Sequence, residues 1–184
     1  EALGMLSLML LHDARREART AGDGSLVLLE KQDRSEWDQE KIKAGTAILD
    51  QAISMRDSGP YQIQAAISAL HAEAKTPAET DWAQIAMLYG GLIQGDPKNH
   101  IIQLNRAVAV AMAVGPLAGL ALLDPLEDQL KNYYLFHASK ADLCRRAGRL
   151  EEALSSYNSA LELTTNEVEQ TFLEKRISEI QVEL

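Results

Sequence analysis

A chain of 184 residues, 46% apolar and 24% charged, can bury a core as one domain or as a compact array of small repeats. Its net charge of −9, with a pI near 4.9, disfavours free-standing binding to nucleic acid or to an anionic membrane surface, both of which present like charge. Cys144 is the single cysteine and no run of 18 apolar residues occurs, which excludes an intrachain disulfide, a cysteine-rich zinc site and a spanning helix of ordinary length, and points to a reduced cytoplasmic protein.

Residues 1–19 read as a helix that is apolar on nearly every side at first, through Leu3, Met5, Leu6, Leu8, Met9, Leu10 and Leu11. A helix apolar all round asks to be buried. It has no basic leader and runs straight into His12-Asp13-Ala14-Arg15-Arg16, so it is not a signal peptide. It also lacks a capping residue before it, which predicts that the chain is cut from a longer protein with a further helix upstream. Residues 20–34 break the pattern. Gly22-Asp23-Gly24 marks a turn, and Leu26-Val27-Leu28-Leu29 is an apolar run inside a loop. Ser35 and Asp38 have the spacing of a capping box, which predicts a helix over 36–56 with Trp37, Ile48, Leu49, Ala52 and Ile53 on its stripe. Pro60 opens a helix over 60–74, and Thr76-Pro77 precedes one over 80–94. Further helices follow over 98–114, 116–123, 132–147, 149–163 and 166–182, separated by Gly115-Pro116, Asp124-Pro125 and Gly148. No segment alternates with period two. The expected fold is all-α, with eight or nine helices paired as hairpins.

Helix pairs at a fixed period indicate a solenoid. Residues 134–163 resemble a tetratricopeptide repeat: Ala141 and Ala153 stand at close-contact positions, Gly148 at the turn, and Tyr157 and Ala160 on the second helix. A weaker copy about 33 residues earlier spans 98–123, with Gly115 at the turn and Ala118 and Ala121 in its second helix. The expected organisation is one right-handed tetratricopeptide-like domain over 1–184. Its repeats are degenerate over 1–75 around the loop 20–34, clearer over 98–123 and 134–163, and closed by a capping helix over 166–184.

The sequence offers little chemistry. His12 and Asp13 are adjacent on a helix, so their side chains point about 100° apart and read as a polar helix end. His71, His100 and His137 are isolated and no pair has metal-ligand spacing. His71 reads as a half-buried histidine bonded to neighbouring backbone. Cys144 falls on the inward face of a repeat helix, where a small thiol packs well. No phosphate-binding glycine loop and no nucleophile elbow occur. The expectation is a non-enzymatic protein with no catalytic, cofactor or metal residues. Trp37 and Trp82 read as core anchors at helix starts or as parts of a partner pocket. The segment 26–37 docks either on its own helices or on a partner.

Several motifs taken in order are familiar: Leu8 to Arg16, Leu28 to Trp37, Gly59 to Ile67, Thr80-Asp81-Trp82, and Leu104-Asn105-Arg106-Ala107-Val108-Ala109. Over nearly the whole chain they resemble the long C-terminal tetratricopeptide-like extension of bacterial extracytoplasmic-function RNA polymerase sigma factors. The resemblance implies that the DNA-reading sigma domains precede this region. No basic recognition helix is found here, so promoter binding is not carried over. What carries over is a regulatory or scaffolding role in transcription initiation. Contact would be with the sigma domains of the same chain and with RNA polymerase. Leu28, Leu29, Asp33, Arg34, Trp37, Gln62, Gln64, Asn105 and Arg106 are the partner-contact candidates. Asn105 and Arg106 read equally well as cross-links between neighbouring helices. Two alternatives stay open: a general tetratricopeptide adaptor for an unrelated peptide, and a homodimer through an apolar face.

Overall fold

The computed structural model describes all residues except 23 and 26. Among the described residues no strand occurs, and the chain is built of helical hairpins. Ten α-helices follow in order: α1 Ala2–Asp13, α2 Gln39–Ser54, α3 Pro60–Glu73, α4 Trp82–Gly95, α5 His100–Val114, α6 Pro116–Leu123, α7 Glu127–Leu130, α8 Tyr134–Arg146, α9 Leu150–Leu163 and α10 Glu167–Glu183. Nine have eight residues or more; α7 is one turn. They fall into two compact units, Glu1–Asp96 and Pro97–Leu184.

In the first unit, α1 packs against both α2 and α3. Small residues let the backbones approach. A Cβ on Gly4 would lie 2.7 Å from the backbone nitrogen of Gln62, and one on Gly45 would lie 2.9 Å from Leu11. The buried Ser7 hydroxyl donates to the Gly45 carbonyl at 2.8 Å. At the start of α3 the Glu1 carboxylate accepts from the Tyr61 amide at 3.2 Å, supplying the cap that Gly59 cannot. Leu11, Trp37, Ile42, Leu49, Ala65 and Ala69 form the buried cluster. Because Gly4 meets Gln62 while Lys41 reaches Asp13, α3 runs beside α1 in the same direction and α2 runs against it.

Several boundaries differ from expectation. The first helix stops at Asp13; the chain turns and resumes as a single 3₁₀ turn at Glu17–Arg19. Ser35 is not the cap of α2. Asp33 accepts from the Ser35 amide and hydroxyl and starts a 3₁₀ turn, and Asp38 caps α2 by accepting from the Lys41 amide at 3.0 Å. Two aspartates, each a strong capping residue, share what looks like one start signal. Trp37 therefore lies before α2 in extended backbone, although it is buried as expected.

In the second unit the 134–163 pair forms α8 and α9, joined at Gly148 with φ +75°. Ala141, Ala153, Tyr157 and Ala160 are buried between them. The earlier pair is α5 and α6, joined at Gly115 with φ +137°. Here the close contact belongs to Gly119, where a Cβ would lie 2.5 Å from Ala111 and 2.8 Å from the Ala107 carbonyl. Ala118 is half-buried and Ala121 is exposed, because the face that α6 turns inward carries Gly119, Leu120 and Leu123. Cys144 lies in the core, and burial pushes its thiol pKa up.

Candidate interaction site

The segment from 27 to 37 carries five of the nine contact candidates, and Arg34, Trp37 and Leu29 tie it to its own unit. Arg34 is buried. Its guanidinium donates to the carbonyls of His71 at 3.0 Å and Ala74 at 2.7 Å, and to the Thr80 hydroxyl at 3.0 Å. The first two are carbonyls left unpaired at the end of α3, so Arg34 closes that helix terminus, where the helix dipole also favours a cation. The same guanidinium lies 5.3 Å from the centre of the Trp37 ring, a cation–π contact. Trp37 is 3% exposed. Leu29 is half-buried and packs on the cluster around Leu11. Gln32 reaches back inside the segment to the Val27 carbonyl at 3.0 Å.

A matching closure ends α1. Arg19 donates to the His12 carbonyl at 2.8 Å. Beside it, Lys41 bridges Asp13 at 3.0 Å and Asp38 at 3.1 Å, and Arg16 also pairs with Asp13. These hydrogen bonds, led by the one from Lys41, hold the Asp13 carboxyl below its usual pKa. The ends of α1 and α3 thus gather Arg15, Arg19, Arg34, His12 and His71. His71 is half-buried, its ring edge-on to Trp82 with centroids 5.1 Å apart. Burial, then Arg34, Arg15 and His12, push its pKa down to about 4. Burial followed by Arg15 and Arg19 lowers His12 as well. The expected ring-to-backbone bond of His71 is not what is found: its Nδ1 is buried without a partner, and its own carbonyl takes the bond, from Arg34.

The remaining candidates are dispersed. Asp33 is exposed and Leu28 half-buried. Gln62 is 5% exposed; it donates to the Asp57 carbonyl at 2.9 Å and packs on Gly4, so it braces the start of α3. Gln64 is half-buried. Asn105 is exposed and Arg106 half-buried, both on α5 of the second unit. Arg34, Trp37 and Gln62 are therefore turned inward. Arg34 and Gln62 are polar in an apolar context because they bond to backbone, and Trp37 is there to fill the core beneath the Arg34 guanidinium; a single sequence does not separate these roles from contact with a partner. The basic corner at the ends of α1 and α3 was not anticipated. Its one sequence signal is Arg34, set in the loop 20–34; Arg19 reads from sequence as the end of the first helix and lies instead in the 3₁₀ turn after it.

Among the described residues no group of His, Cys, Asp and Glu is arranged to hold a metal ion, and no helix is long and apolar enough to cross a membrane.

Residues 1–53 match DUF6596, a family of unknown function. The chain is 40% identical over 183 residues to an uncharacterized protein of Rhizobium meliloti (strain 1021). That match covers 100% of this chain and 43% of the relative, so the chain spans less than half the relative's length. No solved structure matches the chain.

Proposed function

We propose that this chain is the C-terminal regulatory domain of an extracytoplasmic-function sigma factor, acting in transcription initiation by contact with the sigma domains or with RNA polymerase. The carrying observation is the run of five motifs, from Leu8–Arg16 to Leu104–Ala109, in the order of that extension. Helical hairpins are the scaffold such an extension requires, and they present surfaces suited to protein contact. The Rhizobium relative continues well beyond the matched region, as a multidomain protein does. The charge fits the same division of labour. Domains that touch DNA and polymerase are basic, and an acidic domain of net −9 meets them with complementary sign, which sets rate and register more than affinity. The site of action is the bacterial cytoplasm.

The test is transcription in vitro with the whole sigma factor and with a version lacking this region, at matched polymerase and promoter. Removal is expected to change promoter-dependent transcript yield several-fold, in either direction. Equal yields over a range of sigma concentrations overturn the proposal.

A further inference from the structure

The first helix carries more apolar surface than its own unit covers. The inward side of α1 (Gly4, Ser7, Leu11) packs on α2 and α3. The opposite side leaves Met5 and Leu6 each 45% and Met9 58% exposed, at the spacing of one helix face. Leu6, Met9 and Leu10 line a trough of about 540 Å³ whose end is formed by His12, Asp13, Arg16 and Arg19. The last helix differs. Between Val168 and Val182, α10 exposes Thr171, Glu174, Lys175, Ser178 and Glu179, a polar face. The α1 face is not of that kind. A contiguous apolar strip rimmed by polar groups marks a contact surface.

Charge selects the occupant. The trough ends in Arg16 and Arg19 against one carboxylate, Asp13, which Lys41 also holds, so the corner keeps net positive charge and Arg16, 73% exposed, has donors to spare. We propose that this side of α1 docks an amphipathic helix of a partner protein domain. The partner's apolar stripe lies along Met5, Leu6, Met9 and Leu10, and its acidic residues meet Arg16 and Arg19. Methionine suits such a seat because its unbranched thioether adapts to the knobs it receives. A second copy fits less well. Within α1 and its cap it offers Glu1, spent on capping α3, and the engaged Asp13; the exposed Glu17 lies beyond the apolar strip, beside Arg16 itself. This inference rests only on the reading of the chain as a protein-interaction domain; it names a contacting face and a helix that is acidic along its flanks, whatever the net charge of the domain that carries it.

The probe is a synthetic 18-residue helical peptide with leucines on one stripe and glutamates along its flanks; its counterpart has lysines for the glutamates. Methyl-¹³C methionine spectra of the full chain report the site, because Met5 and Met9 lie on the face while Met55, Met87 and Met112 lie elsewhere. The glutamate peptide is expected to move the Met5 and Met9 signals alone. Its affinity should fall by about tenfold in Met9→Asp. Arg16→Glu, on a side chain 73% exposed, is expected to weaken it similarly without disturbing the fold. Equal binding by the lysine peptide, equal shifts at Met55 and Met87, or unchanged affinity in Arg16→Glu overturns the proposal. So does movement of Met5 and Met9 by protein concentration alone, or by phosphatidylglycerol vesicles and not by the peptide. The two proposals fail separately: peptide binding with unaltered transcription on removing the region sinks the sigma-factor role, and altered transcription without peptide binding sinks only this face.

Discussion

His71 makes the first unit sensitive to acid. Its imidazole has a pKa near 6.5 in the unfolded chain and about 4 in the folded one, where burial and the cations Arg34, Arg15 and His12 oppose a further positive charge. Between these values the unfolded chain binds the extra proton and the folded one does not, so stability falls as pH falls. The contribution is fully present above about pH 6.5. The loss grows to about 1 kcal/mol at pH 5.5, about 2–3 kcal/mol at pH 4.5 and about 3 kcal/mol below pH 4. Both tryptophans, Trp37 and Trp82, belong to the first unit, so tryptophan fluorescence in urea follows that unit by itself. Wild type is compared with His71→Gln at pH 7.5, 5.5 and 4.5. The variant cannot take up the proton, so the wild type should lose stability relative to it by the stated amounts. Asp13, Asp33 and Asp38, whose carboxyls are held low by hydrogen bonds, also destabilise in acid, but equally in both proteins. A wild-type-minus-variant difference that stays flat from pH 7.5 to 4.5 would refute the reasoning. So would an NMR titration placing His71 near 6.5.

Arg34→Lys keeps the charge but cannot serve two carbonyls and a hydroxyl at once, and is expected to lower the stability of the first unit by about 2 kcal/mol in the same fluorescence melts. Gly119→Ala forces a methyl group against Ala111 and the Ala107 carbonyl. It should destabilise the second unit by about 1–3 kcal/mol, read by circular dichroism with the tryptophan transition unchanged. Ser7→Ala leaves the Gly45 carbonyl without that partner in a buried contact and should cost about 1 kcal/mol in the first unit, seen as a lower urea midpoint. Cys144 should react with a thiol reagent only after unfolding, since it is 1% exposed and burial raises its pKa; fast labelling in native buffer contradicts the packing of α8.

Helices with a stripe and a stop were legible in the sequence. Pro60 and Gly148 mark their boundaries because one fixes φ and the other supplies a positive φ. The α8–α9 pair was readable residue by residue, since Ala141, Ala153, Tyr157 and Ala160 repeat a pattern imposed by close helix contact. Less could be read where polar side chains bond to backbone. Asp33 and Asp38 both cap, and only the folded chain decides which begins the longer helix. In the α5–α6 pair, Gly119 and not an alanine makes the contact, a one-residue difference that a periodic pattern cannot resolve. The corner of His12, Arg19, Arg34 and His71 combines residues up to 59 positions apart, and no local spacing announces it.

The inward placement of Arg34 and Trp37 alters what substitutions there can mean. A side chain with three hydrogen bonds to its own unit cannot also grip a partner without being withdrawn, and withdrawal strands the end of α3. A change in transcription on replacing Arg34 or Trp37 would therefore act through the position of the whole 27–37 segment. A change on replacing Asp33 would be of a different kind. Its carboxylate is exposed, although it accepts from the Ser35 amide and hydroxyl. Asp33→Asn keeps the amide acceptor that starts the turn while removing the charge. If the segment contacts a basic partner, Asp33→Asn should weaken function and leave the fluorescence midpoint nearly unchanged, whereas Arg34→Lys should lower both together. A function lost only in parallel with stability, for every residue of the segment, would make it a clasp for α3 and leave the contacting surface to α1.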